Sequence, residues 1–142
     1  MAALIVNKIK RRILMFIKIT VNQCRYDMSS LDSTKKAYCY GYIKKIENDR
    51  VLLKDVFVQG ITEQGSSVSL CIDHVWLFSR GMLKAADSGK IQSGRYVRFR
   101  GRPYLYTRKD NTKDWAFSNC NNKQIVVINE SEYRLHRLEA PR

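Results

Sequence analysis

Between Arg95 and Arg108 the chain reads RYVRFRGRPYLYTR, and two kinds of chemistry separate there at alternate positions. Tyr96, Arg98, Arg100, Arg102, Tyr104, Tyr106 and Arg108 carry guanidinium and phenol groups; Val97, Phe99, Gly101, Pro103 and Leu105 between them do not. Successive side chains on a strand point to opposite faces, so this segment is expected to be a strand with Val97, Phe99, Gly101, Pro103 and Leu105 turned inward. A guanidinium forks onto phosphate and lies flat on rings, and a phenol offers a ring face to a base. Single-stranded nucleic acid asks for that combination of charge and stacking. Charged outer faces also protect sheet edges and keep sheets soluble. This set, however, contains no acid, and three tyrosines stand where Ser, Thr or Glu would serve solubility better. Lys109, Lys113 and Trp115, in the polar basic loop RKDNTKDW, extend the same track.

Other chemistry finds less support. Cys71 and His74 have the C-x-x-H spacing of two zinc ligands, but a structural site needs four, and only folding would bring Cys120 and His136 to them. Neighbouring Asp73 and His74 diverge on a strand rather than pair, so they do not make a nucleophile-activating couple. A nuclease reading would use His74, His136 and an arginine as acid, base and phosphate clamp. Paired carboxylates are not evident, and GKIQSGR lacks the P-loop spacing. No catalytic residue, metal or cofactor is therefore expected, and the protein is read as a non-enzyme.

The 142-residue chain suits one domain with a single core, and its 44% apolar content is enough for a globular fold. A formal net charge of +13 exceeds what solubility requires and points to an anionic partner, nucleic acid first. The four cysteines at 24, 39, 71 and 120 include no close pair, which excludes a zinc finger and a redox CxxC motif. No signal peptide is expected, because Lys18 breaks the apolar run ILMFI, and no stretch is long enough to cross a bilayer. The expectation is a cytoplasmic protein with reduced thiols and no membrane partner.

The elements that would position the Arg/Tyr strand can be taken in order. Residues 1–14 are a basic arm or an upstream extension ahead of Met15, residues 15–130 a β domain, and residues 131–142 a short helical tail. Phe16–Val21 alternates as a half-buried strand, and 27–36 is a loop. In AYCYGYIKKI, residues 37–46, Tyr38, Tyr40 and Tyr42 share a face opposite Gly41, whose place inside a strand marks a bend or bulge. That stripe fits a second stacking platform and equally a surface packed under a helix. The turn at 47–49 leads into VLLKDVFV, 51–58, and strand 68–72 follows the turn at 65–67. Asp73 stands where a helix N-cap would be useful, but Gly81 interrupts the segment after it, so a short helix or an irregular link with Met82–Ala86 is expected. The trio Trp76, Leu77 and Phe78 is expected to be core or an exposed patch. Pro103 places its strand at a bulge or an edge. A last strand covers 124–128, and in the tail Ser131 is a candidate cap, with Leu135 and Leu138 on one side and Pro141 as a stop.

Five or six strands in hairpins, with one helical link before the basic strand, describe a small antiparallel Greek-key barrel of the OB type. The run GRYVRFRGRP resembles the fourth strand of such barrels, where a turn glycine precedes alternating apolar residues and a second glycine. Together with CIDHVWLF it resembles small OB-like proteins of Gram-positive phages and mobile elements, over roughly residues 38–128. The resemblance implies single-strand DNA or RNA binding by analogy, in a fold that also hosts protein-binding modules. A second expectation is therefore an inhibitor or adaptor that engages a nucleic-acid-processing protein complex, such as an anti-CRISPR protein.

Overall fold

The computed structural model describes residues 26–138. The basic arm 1–14, the strand expected at Phe16–Val21, Cys24 and Pro141 lie outside the described residues. Six strands and two α-helices follow a 3-10 turn at Tyr26–Ser30: β1 (Ala37–Ile46), β2 (Val51–Ile61), β3 (Ser67–Leu77), α1 (Arg80–Asp87), β4 (Tyr96–Thr107), β5 (Lys113–Ser118), β6 (Val126–Ile128) and α2 (Glu130–Leu138). The pairings are antiparallel in the order β3-β2-β1-β4-β5, with β6 added beside β4. The two ends of that path, β3 and β5, lie against each other. A meander of three strands, a helix, and a fourth strand returning beside the first is the topology of the OB barrel.

Period-two alternation fills the barrel. Cys39 and Ile43 of β1, Val51, Leu53, Val56 and Val58 of β2, and Val97 and Phe99 of β4 are buried in one cluster with Phe117 of β5. Gly41 is the expected irregularity. Tyr40 pairs with Phe57 and Tyr42 with Lys54, so Asp55 and Val56 together face Gly41, and Asp55 takes φ 51°. A methyl group at Gly41 would press to 3.1 Å from Val56, so the bulge and the glycine fit only together. The curl this adds lets a short sheet close.

Five expectations need correction. Asp73 and His74 do not diverge: His74 Nδ1 lies 3.0 Å from the Asp73 carboxylate, because both side chains are free of the core and can turn toward each other at the strand surface. Asp73 caps no helix: β3 continues to Leu77, because Val75 and Leu77 bury themselves opposite Leu53 and Val51, and Ser79 takes the N-cap position of α1. The basic loop ends early, since Lys113–Ser118 is strand β5, with Ala116 and Phe117 wholly buried. The strand expected at 124–128 is a 3-10 turn at Asn122–Gln124 followed by the three residues of β6. In the tail, the Asn129 side chain accepts from the Glu132 amide at 2.7 Å and so caps α2 in place of Ser131. Tyr133, His136 and Arg137, at helical spacing, meet the sheet, whereas Leu135 is 54% exposed.

Candidate nucleic-acid interface

Strand β4 changes partner halfway, and this decides where its side chains go. Ala37–Tyr42 of β1 face Tyr96–Gly101, while Lys113–Ser118 of β5 face Arg102–Thr107. Pro103 lies just beyond the last β1 partner, so its missing N–H deprives no ladder there. Val97, Phe99, Gly101 and Pro103 are buried as expected, but Leu105 is 47% exposed. Tyr104 and Tyr106 are half-buried and pack against the margin of the core. The inward set therefore ends at Pro103, because the β4–β5 ribbon leaves the closed barrel there and its former outer face meets Phe78.

The outer half of β4 beside β1 is a tyrosine–arginine lattice covered by α2. Tyr40, Phe57, Cys71, Ile128 and Tyr133 make a second, smaller core between helix and sheet, and the His136 ring stacks on Tyr40 at 4.4 Å. The Tyr38/Tyr40/Tyr42 stripe is thus divided: Tyr40 lies buried under the helix, Tyr42 meets Tyr96 edge-on, and Tyr38 is exposed. Tyr96 packs on Tyr133 at 4.7 Å, and Arg98 reaches Glu132 at 3.3 Å. Arg100 lies over the Tyr38 ring at 4.8 Å, and its buried Nε finds no hydrogen-bond partner among the described residues. With the Asn119 amide turned so that its oxygen rather than its NH2 faces Arg102, Arg102 Nε donates to that carbonyl at 2.8 Å.

The distal half of β4 contributes to a cleft at the end of the barrel. Its walls are the β1–β2 turn with Asp49 and Arg50, the end of β3 with Trp76 and Phe78, and the β4–β5 turn from Tyr106 to Asp110; its volume is about 590 Å³. The Arg50 guanidinium lies over the Trp76 ring at 4.0 Å and donates from Nε to Glu47 at 2.8 Å. Phe78 meets Tyr106 edge-on at 5.2 Å. Arg108 is anchored by an ion pair to Asp114, a carboxylate only 7% exposed that also accepts from the Trp115 amide at 2.8 Å. Asp110 is exposed and accepts from the Thr112 amide at 3.0 Å and from its hydroxyl, which holds its pKa below the usual carboxylate range. It fixes the turn while keeping its charge at the rim of the cleft, and Lys109 stays exposed beside it.

The residues singled out from sequence therefore divide into two groups. Tyr96 and Arg98 stand on the barrel wall against α2 with Arg100 beside them, and Arg102 lies next to Asn119 at the start of the β4–β5 ribbon; Tyr106, Arg108 and Lys109 line the end cleft, with Tyr104 next to it. Lys113 is exposed on β5, and Trp115 is half-buried against the core. Sequence reasoning did not assign Arg50 to the site, and it placed Trp76 and Phe78 in a packing trio; only Leu77 of that trio is fully buried. The alternation of Val75 and Leu77 with Trp76 and Phe78 was the available signal. Cys71 sits under α2 and Cys120 in the main core, and among the described residues no three His, Cys, Asp or Glu side chains gather to hold a metal. Among them, too, no helix is long and apolar enough to cross a membrane.

Strand order, the helix between β3 and β4, and a cleft between the β1–β2 and β4–β5 turns define an OB-type barrel. No known protein family matches the sequence, and no curated protein matches it. Among solved structures, the chain is similar to a mitochondrial single-stranded DNA binding protein from S. cerevisiae, at 15% identity and TM-score 0.31, over 66% of this chain and 94% of that one. The fold assignment rests on the strand order and not on that likeness.

Proposed function

We propose that this protein binds single-stranded DNA or RNA without acting on it chemically, and that the end cleft is where it does so. One observation carries the reading: Trp76, Phe78 and Tyr106 converge with Arg50, Arg108 and Lys109 in one cleft. Flat rings stack on bases of any identity, and the cations answer the phosphates. OB barrels bind oligonucleotides with the loops that frame this cleft, the β1–β2 and β4–β5 turns. The net charge of +13 supports the same partner by drawing in a polyanion.

The contacts expected on this reading are sequence-tolerant, since stacking and backbone charge read little of a base edge. Arg98, Arg100 and Arg102 then serve as an outlying electrostatic field, while Arg108 and Lys109 touch the strand with Arg50. Anisotropy of a labelled oligonucleotide, titrated with protein freed of nucleic acid at several salt concentrations, tests this. Affinity should fall by about 0.7 logarithmic units per tenfold salt for each phosphate neutralised. Duplex of the same length should bind more weakly. Absence of binding at low salt would overturn the reading.

A further inference from the structure

A second cleft opens on the other side of Phe78, with a volume of about 560 Å³, close to the first. Phe78 lines both, so the two are neighbours that share that ring. Tyr106 lines the first cleft and Tyr104 the second, and their ring centroids are 6.1 Å apart. The second cleft has Lys36 and Arg80 among its walls, and no described residue lining it is acidic. Its polar lining includes Ser79, whose hydroxyl donates to the Cys120 carbonyl at 3.3 Å, and Asn121, whose side-chain carbonyl accepts from the Lys123 amide at 2.9 Å. This leaves the hydroxyl oxygen to accept and the amide NH2 to donate at a base edge. Arg102 stands beside Asn119 of this wall and adds to the positive field around the cleft without lining it.

We propose that this cleft is a second nucleotide subsite, so that consecutive nucleotides of one strand occupy the two clefts on either side of Phe78. The proposal rests on the nucleic-acid reading of the first cleft. Phe78 acts as a wedge: one base lies against Trp76 and Tyr106, the next against Tyr104, and the phosphate of the second nucleotide meets Lys36 and Arg80. Unstacked neighbouring bases of one strand can reach two rings this close, whereas the stacked bases of a duplex part around a wedge only at a cost of about a few kcal/mol per step. The arrangement accordingly selects single strands on geometry as well as on charge.

The test is a series of oligothymidylates of increasing length, titrated by anisotropy into the wild type, Lys36→Glu/Arg80→Glu, Tyr104→Ala, Tyr104→Phe and a charge-matched Lys44→Glu/Lys84→Glu control. Thermal melts establish that each variant is folded. In the wild type, affinity should rise when the oligonucleotide becomes long enough to fill the second cleft. Lys36→Glu/Arg80→Glu and Tyr104→Ala should lose that gain, about tenfold or more on longer strands, and bind the shortest strand as the wild type does. Tyr104→Phe, which keeps the ring, should retain it. Equal weakening at every length, or a loss matched by the Lys44→Glu/Lys84→Glu control, would overturn the second subsite while leaving the first. A wild type that binds no length would remove the nucleic-acid reading and this subsite with it.

Discussion

Tyr133 of the C-terminal helix donates its phenolic proton to the backbone carbonyl of Asp55, the left-handed residue in the bulge facing Gly41. The bulge that bends the barrel thereby also supplies the acceptor that fixes α2. Arg137 donates to the same phenol at 3.0 Å, so one hydroxyl links the helix to itself and to the sheet. Tyr133→Phe should cost about 1 kcal/mol, because it leaves a carbonyl and a guanidinium short of a partner. Tyr133→Ala, which also opens the cluster with Tyr40 and Phe57, should cost about 3–5 kcal/mol. Urea unfolding followed by circular dichroism measures both.

Trp76 should report and stabilise bound nucleic acid at once. In a Trp115→Phe background Trp76 is the single tryptophan, and an oligonucleotide should quench its emission. Trp76→Ala should weaken binding by about 1–3 kcal/mol, the range for losing one base–aromatic stack. Unchanged emission at saturating oligonucleotide would place the strand elsewhere.

Gly81 is where the first helix touches the barrel. A methyl group there would stand 1.7 Å from the Cys120 carbonyl oxygen, well inside contact distance. Alanine favours a helix over glycine by about 1 kcal/mol, yet Gly81→Ala should destabilise the protein, because backbone on both sides must move. A rise in melting temperature would contradict the close approach.

Glu132 holds Arg98 on the barrel wall, with both side chains nearly two-fifths exposed. An exposed pair of this kind contributes about 0–1 kcal/mol, so Glu132→Gln should barely alter stability. Removing an acid beside Arg98 should at the same time tighten oligonucleotide binding slightly at low salt, and the gain should vanish at high salt. Weaker binding at low salt would count against Arg98 contributing to the field.

The buried thiols should be silent at neutral pH. Burial pushes Cys120 from its ordinary value of 9.0 up to about 11, and it raises Cys39 and Cys71 as well. In a Cys24→Ser background, thiol reagents at pH 8 should modify these three only as fast as the protein opens. For Cys120 the folded state favours the protonated thiol. Its contribution is therefore complete below about pH 9 and is lost as the pH rises through about 11. Rapid modification of the folded protein at pH 8 would contradict that burial.

What the sequence by itself determined is local and periodic. Alternation in 37–46, 51–58 and 95–104 specified three neighbouring strands, and Gly41 marked their bulge, because side-chain direction on a strand is set by residue parity alone. Helical residues between the third and fourth core strands completed the barrel type. The sequence also singled out Tyr106, Arg108 and Lys109 through their charge and rings, and the structure brings all three to one cleft. The tertiary structure decided the rest. β5 escaped notice because KDWAFS becomes a strand by pairing with Arg102–Thr107, and Asp114 is tolerated inside it because Arg108 neutralises it. Leu105 faces out and Tyr104 inward because β4 exchanges one partner for another at Gly101, an event that leaves no periodic trace. The cleft unites Arg50, Trp76 and Tyr106, residues far apart in the chain. Parity says which way each points, but only closure of the barrel brings the three to one place.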